Sequence, residues 1–402
     1  MARGGRGIVV ATLFSGGLIF DGKGKLREGL AVLVEDDRIA KVGPAADFEG
    51  FAGNKVDTKG ATLLPGLVDC HVHLTMTGSN DPGADRTKMQ DGEISMLTLF
   101  QAQETLRGGV TAVRDCGGKD YLEFAVRDWI NKGRFQGPSI YASGKMICMT
   151  GGHGNRWGRV ADGCDDVIKA VREQIHAGCD LVKIMATGGV MTPGVNPEDA
   201  HYSPEEMRAG VQEATRFHKR TASHAQGRDG ILNAVHAGIS SVEHGIFLDE
   251  ICIQEMIDNG TYMVPTISAL KNIANNADKG IPAYAVEKTL RISENHLASF
   301  KAFHKAGGKI ALGTDAGTPF NRHGENAQEL AFMVEYGMTP TEALVCGTYN
   351  GIDLMGLQDR GEIAEGKVAD LLIVNGNPTE DIALAADPAN HRAVYKGGEL
   401  VR

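Results

Sequence analysis

Positive charge is scarce in this sequence relative to negative charge. The 402 residues include 41 Lys and Arg against 51 Asp and Glu, which gives a formal net charge of −10 at pH 7. Proteins that bind nucleic acids or anionic membrane surfaces carry a concentrated positive patch, and no basic run occurs here. We therefore expect no nucleic-acid partner and no membrane partner.

Long apolar runs are also missing. No segment approaches the ~20 consecutive apolar residues that a membrane-spanning helix requires. Two arginines precede a short apolar run near the start, but Ser15, Gly16 and Gly17 interrupt that run. This pattern does not match a secretory signal peptide, and we expect none.

Cysteine occurs without the spacing of a disulfide or metal framework. The seven cysteines are odd in number and contain no C-x-x-C pair, which favours reduced thiols. The sequence therefore predicts a cytoplasmic protein. Cys70 lies in an apolar stretch, and we expect it in the core.

The two ends of the chain share a β-like texture. The segments IVVATLF, GLIFDG and GLAVLVEDDRIAKVG lie within residues 8–61, and VADLLIVNG and HRAVYKGGELV follow residue 361. Asp36 and Asp37 punctuate the third segment as a hairpin turn would. These flanks predict one small β-sandwich domain built from residues 1–61 and 357–402.

The middle of the chain, residues 62–356, alternates strand and helix signals. Ser203-Pro204 and Thr339-Pro340, each followed by an acidic residue, mark the starts of helices over residues 203–217 and 339–354. Eight strands alternating with helices predict an α/β fold, a (β/α)8 TIM barrel. The predicted strands cover residues 63–74, 110–116, 138–144, 181–186, 221–226, 241–245, 262–266 and 309–317.

Polar and charged side chains suited to a functional site occur at the ends of five of these strands. In a barrel of this kind, functional groups gather at the C-terminal ends of the strands. His71 and His73 are two residues apart, so both face the same way. Six such groups predict one shared metal site, because imidazoles and carboxylates are common ligands of first-row cations. These candidate ligands are His71, His73, Lys183, His224, His244 and Asp315.

The motifs around these residues resemble those of a known superfamily. PGLVDCHVHL, the lysine of LVKIMATGG, SHAQG, VEHG and GTDAG resemble the motif set of the metal-dependent amidohydrolase superfamily, over nearly the whole chain. The sequence looks most like the branch of imidazolonepropionase-related proteins and prolidase-like dipeptidases. The resemblance implies two divalent metal ions, usually Zn²⁺. His71, His73 and Asp315 would hold one ion. His224 and His244 would hold the other, with a carboxylated Lys183 as the bridging ligand.

The chemistry that the resemblance implies is hydrolysis of a small amide or peptide bond, as in prolidase-like or carboxypeptidase-like enzymes. A lysine amine that has taken up carbon dioxide becomes a carbamate with an oxygen for each metal. Paired cations lower the pKa of shared water, and the resulting hydroxide attacks the carbonyl. Asp315 would act as general base and then as general acid toward the leaving nitrogen. Relatives of this kind are often homo-oligomers.

Other interpretations remain open. A lysine at the rim would leave a one-metal site of His71, His73, His224 and Asp315, with His244 bonded to the water, as in deaminases that look similar. The substrate could also be a cyclic amide, as for imidazolonepropionase, or a carbamate or an aryl amide. A catalytically silent scaffold of the same fold is a third class.

Three loops at the same end of the barrel are candidates for substrate binding. In the glycine-rich loop 149–155, we expect His153 to polarise a substrate carbonyl. Tyr202 would hold a carboxylate, or else pack as a hydrophobic staple on the helix behind it. Arg322 and His323 belong to a polar loop after the eighth strand.

Several neighbouring residues have simpler interpretations. Arg156 and Arg159 are further cations that could pair with a carboxylate. Glu243 precedes His244 on its strand, so alternation predicts that its side chain points away from the site and is structural. The remaining histidines in predicted helices are expected on the surface or in packing contacts: His176, His218, His236, His296 and His304.

Overall fold

The computed structural model describes residues 11–402, so the start of the first predicted strand, at residues 8–10, lies outside the described residues. The N-terminal segment forms seven short strands. A 3-10 helix, Ala45–Phe48, follows the fifth of them. The strands are β1 Ala11–Ser15, β2 Leu18–Phe20, β3 Leu26–Arg27, β4 Leu30–Glu35, β5 Arg38–Pro44, β6 Asn54–Asp57 and β7 Ala61–Pro65.

The middle of the chain supplies the barrel. Its strands pair in parallel with their neighbours, as the alternation of strands and helices predicted. The strands are β8 Leu67–Val72, β9 Val110–Asp115, β10 Ser139–Ala142, β11 Ile147–Cys148, β12 Arg159–Val160, β13 Leu181–Met185, β14 Arg220–Ala225, β15 Ser241–His244 and β16 Tyr262–Val264.

Helices cover the outside of the barrel and the loops at its ends. None of the helices within residues 11–402 is long and apolar enough to cross a membrane. They are α1 Pro82–Lys88, α2 Asp91–Arg107, α3 Leu122–Asn131, α4 Cys164–Ala177, α5 Pro204–Arg216, α6 Arg228–His236, α7 Glu250–Asp258, α8 Ile267–Asn275, α9 Ala283–Lys305, α10 Gln328–Glu335, α11 Pro340–Cys346 and α12 Tyr349–Met355.

The predicted helix starts are confirmed, but one predicted helix is divided. Ser203 and Thr339 each accept a bond from the backbone N–H three residues on, where a glutamate completes the capping box. The helix predicted over residues 339–354 was wrong in extent. It ends at Cys346, and α12 begins at Tyr349 after a break at Gly347.

The eighth strand of the barrel is irregular. Residues 309–317 form isolated bridges rather than the continuous strand that was predicted. The backbone nevertheless closes the barrel, because Ala311 donates to the Met263 carbonyl and Cys70 donates to the Leu312 carbonyl (3.0 and 2.8 Å). Asp315 has a φ of 60°, in the left-handed region, which interrupts the ladder at this point.

Both ends of the chain contribute to the β-sandwich. The C-terminal strands are β17 Leu371–Asn375, β18 His391–Lys396 and β19 Glu399–Leu400, with a short helix, α13 Ala383–Ala386, and a 3-10 helix, Pro388–Asn390, between β17 and β18. β17 pairs antiparallel with β7, so one sheet joins both ends of the chain in the order β19-β18-β17-β7-β2-β3. The second sheet has the order β5-β4-β1-β6. Phe14, Val32, Leu63, Leu371 and Tyr395 share a buried apolar cluster from both sheets.

This architecture is the predicted one, a TIM barrel with a small β-sandwich from both termini. The predicted boundary between residues 61 and 62 falls inside β7, which pairs with the C-terminal strand β17. The barrel strand β8 begins two residues after β7 ends. The short connection joins the start of β8 to the sandwich sheet, and His71 lies toward the other end of that strand.

Candidate metal centre

The structure brings the six candidate ligands to one cavity at the C-terminal ends of the barrel strands. All six line this cavity. The imidazole rings lie close to one another: the ring centres of His71 and His73 are 5.4 Å apart, and those of His224 and His244 are 4.5 Å apart. The His71 and His244 rings, at 5.2 Å, connect the two pairs.

One group within this set has the spacing of a metal site. Asp315 Oδ1 lies 3.1 Å from His73 Nε2 and 3.5 Å from His71 Nε2. One ligand atom from each of these three residues falls within 4.8 Å of the others. Two imidazoles and one carboxylate in this arrangement fit a divalent ion such as zinc.

Each of the four histidine rings is held by a hydrogen bond through one nitrogen, which leaves the other available to an ion. Ligating histidines characteristically use their second nitrogen in this way, because the bond fixes the ring and its tautomer. The partners are Glu243 Oε2 for His71 Nδ1 (2.8 Å), the Gly117 carbonyl for His73 Nδ1 (3.1 Å), the Gly188 carbonyl for His224 Nε2 (2.9 Å) and Thr266 Oγ1 for His244 Nδ1 (2.6 Å).

Glu243 was wrongly predicted to point away from the site. Its side chain is completely buried, and in addition to His71 it binds Arg114, whose Nη2 donates to Oε1 at 2.7 Å. Alternation fails here because His244 has a φ of 73°, so the chain leaves the strand geometry between the two residues. Glu243 therefore contacts His71 inside the barrel, whereas His244 lines the cavity.

Lys183 is buried without a partner. It is 1% exposed, and its Nζ has no hydrogen-bond acceptor among residues 11–402. A buried ammonium without a hydrogen-bond acceptor is unfavourable. Carboxylation of Lys183 and two bound metal ions would remove the unfavourable burial of the ammonium. The six candidate ligands therefore fit a pair of divalent metal ions.

Burial sets the charge state of the site. It lowers the pKa of His71, His224 and His244 well below the usual value, and the positive charge assigned to Lys183 adds to the effect. Burial raises the pKa of the Asp315 carboxyl, but His71, His73 and Lys183 outweigh it, so the net shift is downward. Neutral imidazoles and an ionised carboxylate are the forms that bind metals.

His153, the predicted carbonyl-polarising residue, also lines the cavity. Its ring centre lies 4.3 Å from that of His224, and its Nδ1 lies 2.8 Å from Thr192 Oγ1. Burial lowers its pKa to about 3, so the ring is neutral near pH 7. When Nδ1 accepts from the Thr192 hydroxyl, Nε2 carries the proton and can donate toward the cavity.

The structure places the other predicted substrate-binding residues outside the cavity. Tyr202 is buried, and its hydroxyl donates to the Ala161 carbonyl at 2.8 Å, so it serves packing and not a carboxylate. Arg322 is exposed. His323 contacts Thr105 Oγ1 and the His73 carbonyl (3.0 and 3.2 Å), which makes it a support for the His73 segment.

The two further arginines considered for a carboxylate are also outside it. Arg156 is exposed, and Arg159 forms ion pairs with Asp166 and Glu173 at 2.8 and 2.7 Å. No sequence motif pointed to Arg86, which lines the cavity together with Trp157. Its one signal was indirect. Asp81-Pro82 marks the start of a helix in the loop after β8, and Arg86 lies in that helix.

The comparisons with known proteins agree with this geometry. The model of the amidohydrolase family matches residues 62–401. An ochratoxinase from Aspergillus niger is 32% identical, over 97% of this chain and 86% of that one. An imidazolonepropionase from Micrococcus luteus is 26% identical, over 94% and 95% of the two chains. A crystal structure of an Xaa-Pro dipeptidase with methionine bound in its active site is 33% identical, with a TM-score of 0.91, over 97% of this chain and 99% of that one.

The fold and the site together define a metal-dependent hydrolase that acts on C–N bonds. The chain belongs to the amidohydrolase family. Within that superfamily it lies near ochratoxinase, the Xaa-Pro dipeptidases and the imidazolonepropionases.

Proposed function

We propose that the protein is a binuclear metal hydrolase that cleaves the amide bond of a dipeptide or an N-acyl amino acid. His71, His73 and Asp315 would hold one ion, and His224 and His244 would hold the other. A carboxylated Lys183 would lie between them, and zinc is the ion that this ligand set favours.

The observation that carries this proposal is the position of Lys183 Nζ. It is buried among four histidines and an aspartate, and no acceptor among residues 11–402 bonds to it. A one-metal deaminase site has no use for a lysine at this strand end. Conversion of the amine to a carbamate turns an unpaired cation into an anion with an oxygen for each ion, which suits a two-metal site.

The ions, when bound, supply Lewis-acid polarisation of the substrate carbonyl and lower the pKa of the reacting water. The side chains of the protein would transfer the proton and stabilise the developing negative charge. Asp315 is held as a carboxylate beside His73, so it can accept the proton of the water and deliver it to the leaving nitrogen. His153 Nε2 donates to the oxygen on which negative charge develops. The buried surroundings exclude bulk water and strengthen both interactions.

Two features of the relatives support an amino-acid substrate. One solved structure is an Xaa-Pro dipeptidase that holds methionine in its active site, and ochratoxinase is a curated relative over nearly the whole chain. The cavity here has an apolar wall that includes Val190, Leu270 and Ile273. An apolar amino acid on the leaving side of the amide fits that wall.

Hydrolysis of a cyclic amide is the second candidate, because an imidazolonepropionase is also a relative over most of its length. Assignment to the cytoplasm and a homo-oligomeric state belong to the proposal as well. The first is supported by the seven cysteines, all free thiols in the structure.

A substrate screen separates these candidates. Zinc-loaded protein is incubated with a library of Xaa-Xaa dipeptides, N-acetyl amino acids, cyclic amides and amino-substituted heterocycles, and released amino acid, acetate and ammonia are measured, together with ring opening. The proposal expects release of amino acid from a subset that shares one C-terminal residue class. Ring opening alone would favour the second candidate, and ammonia release alone would favour the one-metal deaminase.

A further inference from the structure

Arg86 is a buried cation for which the described part of the chain provides no partner. It lies in the last turn of α1 and is 1% exposed. Its three guanidinium nitrogens have no hydrogen-bond acceptor among residues 11–402. Burial of an unpaired charge is unfavourable, so proteins normally pair such groups. An unpaired guanidinium beside a substrate cavity therefore indicates a ligand that brings the counter-charge.

The carboxylates nearest to Arg86 do not fill this role. Asp115 accepts from the backbone N–H groups of Leu74 and Gly117 (2.9 and 3.0 Å), and Asp120 forms an ion pair with Lys145 at 2.7 Å. Glu123 is buried, and neither of its carboxyl oxygens has a hydrogen-bond partner among residues 11–402. Burial, with the Asp115 charge, raises the pKa of the Glu123 carboxyl, which favours its neutral form. No carboxylate of residues 11–402 lies within 4.0 Å of the guanidinium.

Trp157 positions the guanidinium at the cavity. The Arg86 Cζ atom lies 5.2 Å from the centre of the Trp157 ring, and both side chains line the cavity. Contact with an aromatic face stabilises a guanidinium without using its N–H groups. Those N–H groups remain free for a carboxylate, which guanidinium binds through two parallel hydrogen bonds.

The residues that line the cavity indicate which kind of ligand would bring the carboxylate. Among residues 11–402, Arg86 is the one arginine that lines the cavity, and the proposed catalytic groups line the same cavity. Val190, Leu270 and Ile273 belong to a buried apolar cluster that forms another part of the lining. A ligand that spans these features carries a carboxylate, an apolar side chain and an amide directed at Asp315.

We propose that Arg86 binds the free carboxylate of the substrate, and that the substrates are N-acyl or N-aminoacyl amino acids with an apolar side chain. This inference rests on the proposed amide hydrolysis. It identifies Arg86 as the residue that recognises the C-terminal carboxylate of the substrate. Neutral amides of the same shape lack the group that Arg86 requires, so they are poor substrates.

The kinetic test compares N-acetyl-L-leucine with N-acetyl-L-leucinamide, with acetate release as the readout. Wild-type enzyme is expected to prefer the acid, and Arg86→Met is expected to lower kcat/KM for the acid by about 30-fold or more while it changes the amide little. Arg86→Lys keeps a charge but loses the two-pronged geometry, so an intermediate effect is expected. The acid-to-amide ratio within one variant does not depend on the fraction of active protein. Arg322→Met, at an exposed arginine, is the matched control and should keep the wild-type ratio.

The binding test uses L-leucine and 3-methylbutylamine, which lacks the carboxylate, as equilibrium ligands in thermal-shift measurements. L-leucine is expected to stabilise the wild type and the Arg322→Met variant, and not Arg86→Met. The amine is expected to have no effect on any of them. If no amide is hydrolysed, the proposed function fails, and L-leucine binding still decides the role of Arg86.

Two results would overturn the inference. The first is an Arg86→Met variant with the wild-type acid-to-amide ratio and unchanged L-leucine binding. The second is a parallel loss on both substrates in Arg86→Met and in Glu123→Gln, with the ratio unchanged. That outcome would make Arg86 a structural partner of Glu123 and not a substrate-binding residue.

Discussion

The cavity has two regions that the protein holds in different ways. The floor consists of the six candidate ligands His71, His73, Lys183, His224, His244 and Asp315, and all four of its histidines are fixed by hydrogen bonds to buried partners. The wall is mostly apolar and includes Arg86, Trp157, Val190, Leu270 and Ile273; the Arg86 guanidinium has no hydrogen-bond acceptor among residues 11–402. Under the proposed function, the floor would carry out the reaction and the wall would select the substrate.

Backbone strain also occurs at the floor. His244 and Asp315 have φ values of 73° and 60°, in a region that residues other than glycine rarely adopt. Each such residue costs of order 1–3 kcal/mol and persists where the surroundings determine the conformation. Changes to the floor should therefore affect the reaction itself, whereas changes to the wall should redistribute activity among substrates.

The largest expected effect is that of Asp315→Asn. The amide cannot take the proton that the carboxylate accepts, so kcat should fall by about 10³-fold, near the middle of the range for general acid–base groups. Asp278→Asn, at an exposed aspartate, is the matched control and should leave kcat unchanged. Retention of near-normal turnover in Asp315→Asn, measured on zinc-loaded protein, would show that the floor does not carry the proton transfer.

The next largest effect is expected for Glu243, which holds the His71 ring of the floor. Glu243→Gln removes the charge that pairs with Arg114, and it weakens the hold on His71. Second-sphere changes of this kind typically reduce metal affinity by about 10- to 100-fold, and a broken buried ion pair destabilises by about 3 kcal/mol. Chelator competition and thermal unfolding measure the two effects. The exposed Glu294→Gln variant should show neither, and equal metal affinity in both variants would contradict the account.

A smaller effect is expected for a substitution at Gly189, which lies in a loop beside His153. A Cβ atom at Gly189 would lie 2.7 Å from His153 Nε2, so Gly189→Ala should displace the His153 ring. We expect kcat to fall by about 10- to 100-fold, because one oxyanion donor is misplaced. The metal content should remain at the wild-type value, since none of the candidate ligands moves. Loss of metal together with activity would assign Gly189 to the metal site instead.

The smallest effect is expected for Asp249, which belongs to neither the floor nor the wall. Asp249 caps α7 through a bond from the Cys252 N–H at 2.8 Å, and this bond and the Arg228 charge lower its pKa to about 2. Asp249→Ala should lower the free energy of unfolding by about 1 kcal/mol and leave kcat unchanged. Because the folded pKa is depressed, the cap contributes above the usual aspartate pKa of 3.8 and is lost as the pH falls toward 2. A stability difference between wild type and variant that is as large at pH 2 as at pH 7 would contradict this assignment.

The sequence predicted the floor well because strand ends leave little freedom. His71 and His73 had to face one way, and the barrel topology had to bring Lys183, His224 and Asp315 to the same end. Glu243 was misjudged because the left-handed conformation of His244 is a tertiary feature without a local signal.

The wall was harder to predict because loop side chains are placed by contacts that are distant in sequence. Tyr202 is committed to the Ala161 carbonyl, 41 residues away, and this bond removes it from the cavity. Arg86 meets Trp157, 71 positions later in the chain, and neither residue lies in a motif that points to a ligand.

Metal stoichiometry tests the central claim most directly, because the claim is that Lys183 joins two ions into one site. Zinc per chain should be measured on wild-type protein and on Lys183→Met after loading and removal of free metal. The account predicts two ions per chain in the wild type and fewer than two in the variant. One ion per chain in both proteins would contradict it.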